Sequence, residues 1–200
     1  MYCDAASEML LIAANQGDVE QCQTLVLEAR ASLEHRNGLG ETCLHIAAAR
    51  GLVSVTELLL ALGADPNVSS YHPYGGFTPL HVAVRKCGSI RLVQTLLERH
   101  ADANIPDAFG KTPLHHAVAS RDPIVVELLV RHGAAIECAD SIGKFPRDYA
   151  ADLCFSQVIP LLSQQLLEGE APPPPLTFKQ KMELDGKRVI WKPSKVGVGK

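Results

Sequence analysis

GETCLHIAA (Gly40–Ala48), GFTPLHVAV (Gly76–Val84), GKTPLHHAV (Gly110–Val118) and GKFPRDYAA (Gly143–Ala151) lie on one another without a gap, and their starts are 36, 34 and 33 residues apart. A chain that repeats itself at a period near 33 is built from one small unit copied along an axis, each copy burying its apolar face against the next. After each opening comes a second apolar stretch and a turn. These are TELLLALGADPN ending at Asn67, QTLLERHADAN ending at Asn104 and VELLVRHGAAIE ending at Glu137. Upstream, LLIAANQGDVEQCQTLVLEARAS from Leu10 has the same two apolar stretches without the opening signature, as befits an N-terminal cap. The unit from Gly143 is degraded too, with Arg147 and Asp148 where Leu and His stand elsewhere, as expected of a terminal repeat whose outer face meets water.

Local chemistry makes each unit a helix pair. Thr42, Thr78 and Thr112 stand where a hydroxyl accepts first-turn N–H groups, and Pro79 and Pro113 follow at the first helical position, where a missing N–H costs nothing. Cys43 replaces that proline in the second repeat. Ala47, Ala83 and Ala117 are small enough for a neighbouring helix pair to lie close. Gly63 and Gly133 end the second helix in a left-handed conformation, and His100 in the same place is expected to be strained. Asp65 and Asp102 are expected to bond their own backbone in the following turn, and Asp107 and Asp140 to form turns ahead of their glycines.

The TPLH signature, the LLL-x-x-GAD-x-N run and the intervening glycines resemble the ankyrin-repeat family. The resemblance covers about residues 7–167 and implies an all-α solenoid of about five helix-turn-helix repeats joined by hairpin fingers, at about 7–39, 40–75, 76–109, 110–142 and 143–167. It also implies that His45, His81 and His115, which share one repeat position, brace neighbouring loops, and that partners bind through the fingers and first helices. LLALGADPN and LLERHADAN resemble substrates of asparagine hydroxylation, which makes Asn67 and Asn104 possible modification sites.

Composition agrees with an all-helical core. The chain has 200 residues, 46% of them hydrophobic but only 5% aromatic, which suits close helix packing better than a strand sandwich. No apolar run approaches the roughly 20 residues a bilayer requires, and Met1–Ser7 carries no basic residue ahead of an apolar stretch, so a cytoplasmic or nuclear address is expected. The six cysteines form no C-x-x-C pair and are read as reduced thiols, with Cys43 and Cys87 as small apolar fillers.

No phosphate loop, nucleophile elbow or zinc motif occurs. The expectation is therefore no catalytic residue, no metal and no cofactor. His116 should point away from His115, because adjacent helical residues lie about 100° apart. The function expected is a non-enzymatic adaptor or regulator that binds a protein partner, monomeric when alone. The rival reading is a structural subunit of a large assembly.

Two places stand out for partner contact. VSSYHPYG (Val68–Gly75) is three residues longer than the corresponding stretch after Asn104, and it carries Tyr71, His72 and Tyr74, rigid amphipathic side chains of the kind that anchor interfaces. Phe77 and Phe109 occupy nearby finger sites and extend a possible apolar strip, whereas Phe145, in the capping position, should be packed. The second place is the C-terminus. A proline-rich linker at 168–175 separates the repeats from a basic tail, 176–200, in which Val189, Ile190 and Trp191 sit among Lys187, Arg188 and Lys192. Residues 1–170 hold 12 Lys and Arg against 20 Asp and Glu, while 171–200 hold 7 against 2, so the body is acidic and the tail basic. Three readings of the tail stay open: a motif docking on another protein, a return onto the chain's own acidic body, or an arm that contacts nucleic acid or only solvent. No membrane contact is expected.

Overall fold

The computed structural model describes residues 5–71, 75–86 and 89–163, and over these the chain is helical without strands. The helices come in pairs: α1 (Ala5–Gln16) and α2 (Val19–Leu27), α3 (Cys43–Arg50) and α4 (Val53–Ala61), α5 (Pro79–Arg85) and α6 (Ile90–Glu98), α7 (Pro113–Ala119) and α8 (Pro123–Arg131), α9 (Pro146–Asp152) and α10 (Ile159–Ser163). Helices this short are marginal alone, so their stability comes from stacking. First helices stack on first helices, α1 on α3, α3 on α5, α5 on α7 and α7 on α9, and second helices on second helices, α2 on α4, α4 on α6 and α6 on α8.

The repeat places equivalent residues in register down this stack. Leu10, Leu44, Leu80 and Leu114 are fully buried, and so are Ala13, Ala47 and Ala117 three residues on. A buried leucine is worth about 2 kcal/mol of transfer free energy, and the alanines let the first helices come close enough to bury it. The second helices supply Val55 and Leu59, Leu92 and Leu96, then Val125 and Leu129. Cys22 and Cys43 belong to this core, where burial pushes their thiols up to about 11 and about 12. Both are fillers with no thiolate to react. Cys87 lies outside the described residues.

Helix ends follow the punctuation in the sequence. Asp18, Ser89 and Asp122 cap second helices by accepting first-turn N–H groups. Gly63 and Gly133 are left-handed, with φ of 96° and 83°, and His100 takes the same conformation at 66°. That non-glycine residue carries the strain expected of it. In the last repeat Phe145 has no hydroxyl to cap with, but its N–H still donates to the Asp148 carboxylate at 2.8 Å. Its ring is half-buried beneath the Arg147 guanidinium, 4.6 Å away. One core position breaks the pattern: Thr56, fully buried on α4, has a hydroxyl without a hydrogen-bond partner.

Candidate interaction surface

The fingers are built by one polar residue each. Asn37, Asp107 and Asp140 stand three residues before a left-handed glycine, and their side chains accept the N–H groups two and four residues ahead, at 2.8–3.0 Å. The turn closes with N–H···O bonds from Gly40, Gly110 and Gly143 back to these residues. In the third repeat Ser70 takes over. Its N–H donates to the Phe77 carbonyl at 2.8 Å, and its hydroxyl accepts from the Phe77 N–H at 3.0 Å. The base of this finger therefore keeps the pairing seen in the others. His72 and Tyr74 lie outside the described residues.

Successive tips are tied together. The N–H groups of Tyr71, Ala108 and Ser141 donate to the carbonyls of Leu39, Gly75 and Phe109 at 3.1, 2.9 and 2.9 Å. This approach leaves no room for a side chain at the turn glycine: a Cβ on Gly110 would lie 2.7 Å from the Ser141 nitrogen. Asp107 and Asp140 are further braced from their own first helices, by His116 Nε2 at 2.8 Å and by the Tyr149 hydroxyl at 2.6 Å. Burial on its own would raise both carboxyls, but these partners and the turn N–H groups outweigh it and hold them below the usual carboxylate range.

Below the tips, three histidines stitch repeat to repeat. His45, His81 and His115 each donate from Nε2 to a carbonyl of the following finger, those of Phe77, Lys111 and Lys144, at 2.9, 3.1 and 3.2 Å. A carbonyl only accepts, so Nε2 carries the proton and Nδ1 is left as an acceptor. Nδ1 takes the N–H of the capping threonine, at 3.2, 3.2 and 3.1 Å for Thr42, Thr78 and Thr112. The threonine hydroxyls lie 2.9, 2.9 and 3.0 Å from the same nitrogen, so they turn to the imidazole more than to the first-turn N–H groups, of which Thr78 accepts one at 3.4 Å. Burial lowers all three imidazoles, His81 to about 4, so the rings are neutral. His115 and His116 do point apart, one to Lys144 and the other to Asp107.

Asn67 and Asn104 also join repeat to repeat. Each side-chain amide donates to a carbonyl of the next repeat, His100 at 3.3 Å and Gly133 at 3.0 Å, and each side-chain oxygen accepts an N–H, from Asp102 and Ala135, at 2.7 Å. Asp65 and Asp102 bond the asparagine N–H groups at 2.9 and 2.8 Å, as expected of turn residues.

The exposed apolar side chains include a row of finger tips: Leu39 at 44%, Tyr71 at 46%, Phe109 at 58% and Ile142 at 72%. Leu39, Phe109 and Ile142 share one position, immediately before the turn glycine. Leu39 and Ile142 were not singled out from the sequence, although that shared position was the signal that marks them. Phe77 follows its glycine rather than preceding it, so it leaves the tip row and lies half-buried on the face of the first helices. There Arg85 sits over its ring at 4.3 Å and His116 meets it edge-on at 5.9 Å. One repeat on, Lys111 and Lys144 lie over Tyr149 at 4.8 and 5.6 Å. Among the described residues no cluster of His, Cys, Asp and Glu could hold a metal ion, and no helix is long and apolar enough to cross a membrane. Lys187, Arg188, Trp191 and Lys192 lie outside the described residues.

Stacked helix pairs, finger turns and an open face define a protein-binding repeat scaffold. The family model for ankyrin repeats (three copies) matches residues 10–107 and 86–169, and the chain belongs to the ankyrin-repeat family. It is 39% identical over 138 residues to the human ankyrin repeat and SOCS box protein 16, covering 65% of this chain and 30% of that protein. A putative ankyrin repeat protein of fowlpox virus is 34% identical over 127 residues, 61% of this chain and 36% of the viral protein. The bovine SMC5-SMC6 complex localization factor protein 1 is 34% identical over 134 residues, 65% of this chain and 12% of its own length. The chain thus spans about a third or less of the length of these relatives. Ankyrin repeats are protein-interaction modules, and this chain is one.

Proposed function

We propose that the chain is a non-enzymatic adaptor or regulator that grips one protein partner along its finger tips and the adjoining face of its first helices. The observation that carries this reading is the row of Leu39, Tyr71, Phe109 and Ile142, large apolar side chains held in water on tips that are themselves tied together by backbone hydrogen bonds. Exposed apolar groups aligned on a rigid base suit an interface, because the partner covers them without having to order them. His72 and Tyr74, close to Tyr71 in the sequence, are further candidate contacts, and Lys187, Arg188, Trp191 and Lys192 of the basic tail supply a second contact. Asn67 and Asn104 are candidate hydroxylation sites, and a cytoplasmic or nuclear setting suits both roles.

The test is a photo-crosslinking amino acid placed at 109 and, as a control, at Glu57 on the exposed side of α4, in the full chain expressed in its native cells. Position 109 should give one discrete adduct and position 57 none. Adducts only from position 57 would refute the reading. Recovery of the position-109 adduct within a large particle, rather than a one-to-one complex, would favour the rival structural-subunit role.

A further inference from the structure

A cavity of about 310 Å³ opens between the last turns of α3 and α5. The buried Ala48, Ala83 and Leu92 line it, together with Ser89 and the exposed Arg50 and Lys86. No Asp or Glu is among its lining residues, and α3, α5 and α7 carry none. The Arg50 and Lys86 side chains form no ion pair, hydrogen bond or ring contact among the described residues. Both hold one position of the repeat, which Gln16, Ser120 and Leu153 take elsewhere, so only between α3 and α5 does a cation stand on each side. Ser89 adds a donor: its hydroxyl oxygen accepts the Leu92 N–H at 3.2 Å, which leaves its proton to give. The carbonyl ends of α3 and α5 carry about half a unit of negative charge each, so they offset part of the two cations and leave the cavity positive.

We propose that this cavity holds a phosphoryl group carried on a phosphorylated serine or threonine of the partner. The proposal rests on the adaptor reading and names one group that the adaptor recognises. Three donors of different kinds converge on one space: the planar fork of Arg50, the point charge of Lys86 and the Ser89 hydroxyl. A phosphoryl group offers three acceptor oxygens and about two negative charges, which match that set, whereas a carboxylate brings two oxygens and one charge. The apolar floor of Ala48, Ala83 and Leu92 suits the short carbon stem that carries the group. A nucleic acid is the weaker occupant: residues 1–170 hold 20 acidic side chains against 12 basic ones and repel a polyanion, while a single phosphoryl group need enter only the one positive cavity.

The first probe is inorganic phosphate, titrated into the isotope-labelled full chain at constant ionic strength and followed by amide chemical shifts. The shifts should saturate and centre on residues 48–51 and 83–86, and Arg50→Gln/Lys86→Gln should weaken the binding about tenfold or more. Both side chains lie at the surface, so this variant keeps its core, and Arg50→Lys/Lys86→Arg should retain most of the affinity. Acetate at the same concentration should move these amides far less. A library of peptides with one phosphoserine or phosphothreonine, immobilised beside its unphosphorylated counterpart, tests the source of the group. The full chain should be retained by the phosphorylated set alone, and the double variant by neither. No saturable phosphate response, an equal response to acetate, or a response kept by the double variant would each overturn the proposal; the last would place the phosphate outside the cavity. Phosphate binding with no phosphopeptide retained would overturn the assignment to a phosphorylated partner, and tighter binding of a single-stranded oligonucleotide, lost in the double variant, would overturn it in favour of nucleic acid. Crosslinks at 109 without phosphate binding defeat this proposal alone, whereas phosphate binding without crosslinks at 109 defeats the tip reading alone.

Discussion

Acid should unfasten this stack before it protonates the finger carboxylates, and His81 sets how strongly. Its Nδ1 accepts the Thr78 N–H and its Nε2 donates to the Lys111 carbonyl, a pattern that only the neutral ring satisfies. Burial lowers its pKa to about 4, against 6.5 for an ordinary histidine. The unfolded chain therefore binds the proton more readily than the native one, so the contribution is fully present above about pH 6.5 and is lost as pH falls toward 4. Between pH 7.5 and 4.5 His81 alone should cost about 2.5 kcal/mol. His45 and His115 are lowered for the same reason and act in the same direction. Asp107 and Asp140, held below the usual carboxylate range, contribute stability that is lost only as pH falls through their own lower values. The assay is urea unfolding at the two pH values for the parent chain and for His81→Gln. The variant should be less stable at pH 7.5, yet lose about 2.5 kcal/mol less than the parent on acidification. Equal losses in the two proteins, or a His81 Cε1–H resonance titrating at or above pH 6.5, would refute the reasoning.

Other substitutions probe the core and the turns. Thr56→Val keeps the shape of a fully buried side chain and removes a hydroxyl without a partner, so it should raise stability by about 1 kcal/mol in urea unfolding. Gly110→Ala should destabilise by more than about 2 kcal/mol, since a Cβ there meets the Ser141 nitrogen at 2.7 Å, whereas Gly133→Ala, with nothing within 4 Å, should carry only the left-handed penalty of about 1 kcal/mol; equal effects would mean that finger contact is unimportant. Asn104→Ala removes one bond to the Gly133 carbonyl and one from the Ala135 N–H, and should lower stability by about 1–2 kcal/mol, read from the shift in denaturation midpoint.

Most of the scaffold could be read from the sequence, because a repeat repeats its physics. Threonine before proline marks a helix start wherever it occurs, and glycine at the end of the second helix demands a left-handed residue, so even the exception at His100 was legible. The tip row was legible only in part. Phe109 stood out as an aromatic, but Leu39 and Ile142 look like ordinary core residues until the turn glycine beside them fixes which way the chain faces. Phe77 differs from Phe109 in place, since one position on the other side of the glycine moves a side chain from the tip to the face of the first helices. The pairs Asp107–His116 and Tyr149–Asp140 were hidden because each joins a turn to a helix nine residues away, a distance set by the fold rather than by any local pattern. For Asp107 and Asp140 the sequence suggested simple turns, and the second role of each carboxylate comes from packing.

The proposed recognition through the tips and the face below them is tested most directly by hydrogen–deuterium exchange of the full chain with and without its native partner. Bound partner should slow exchange in the finger segments 37–41, 107–111 and 140–144 and leave the second helices α4, α6 and α8 unchanged. Protection confined to those second helices, with the fingers exchanging as fast as in the free chain, would contradict it.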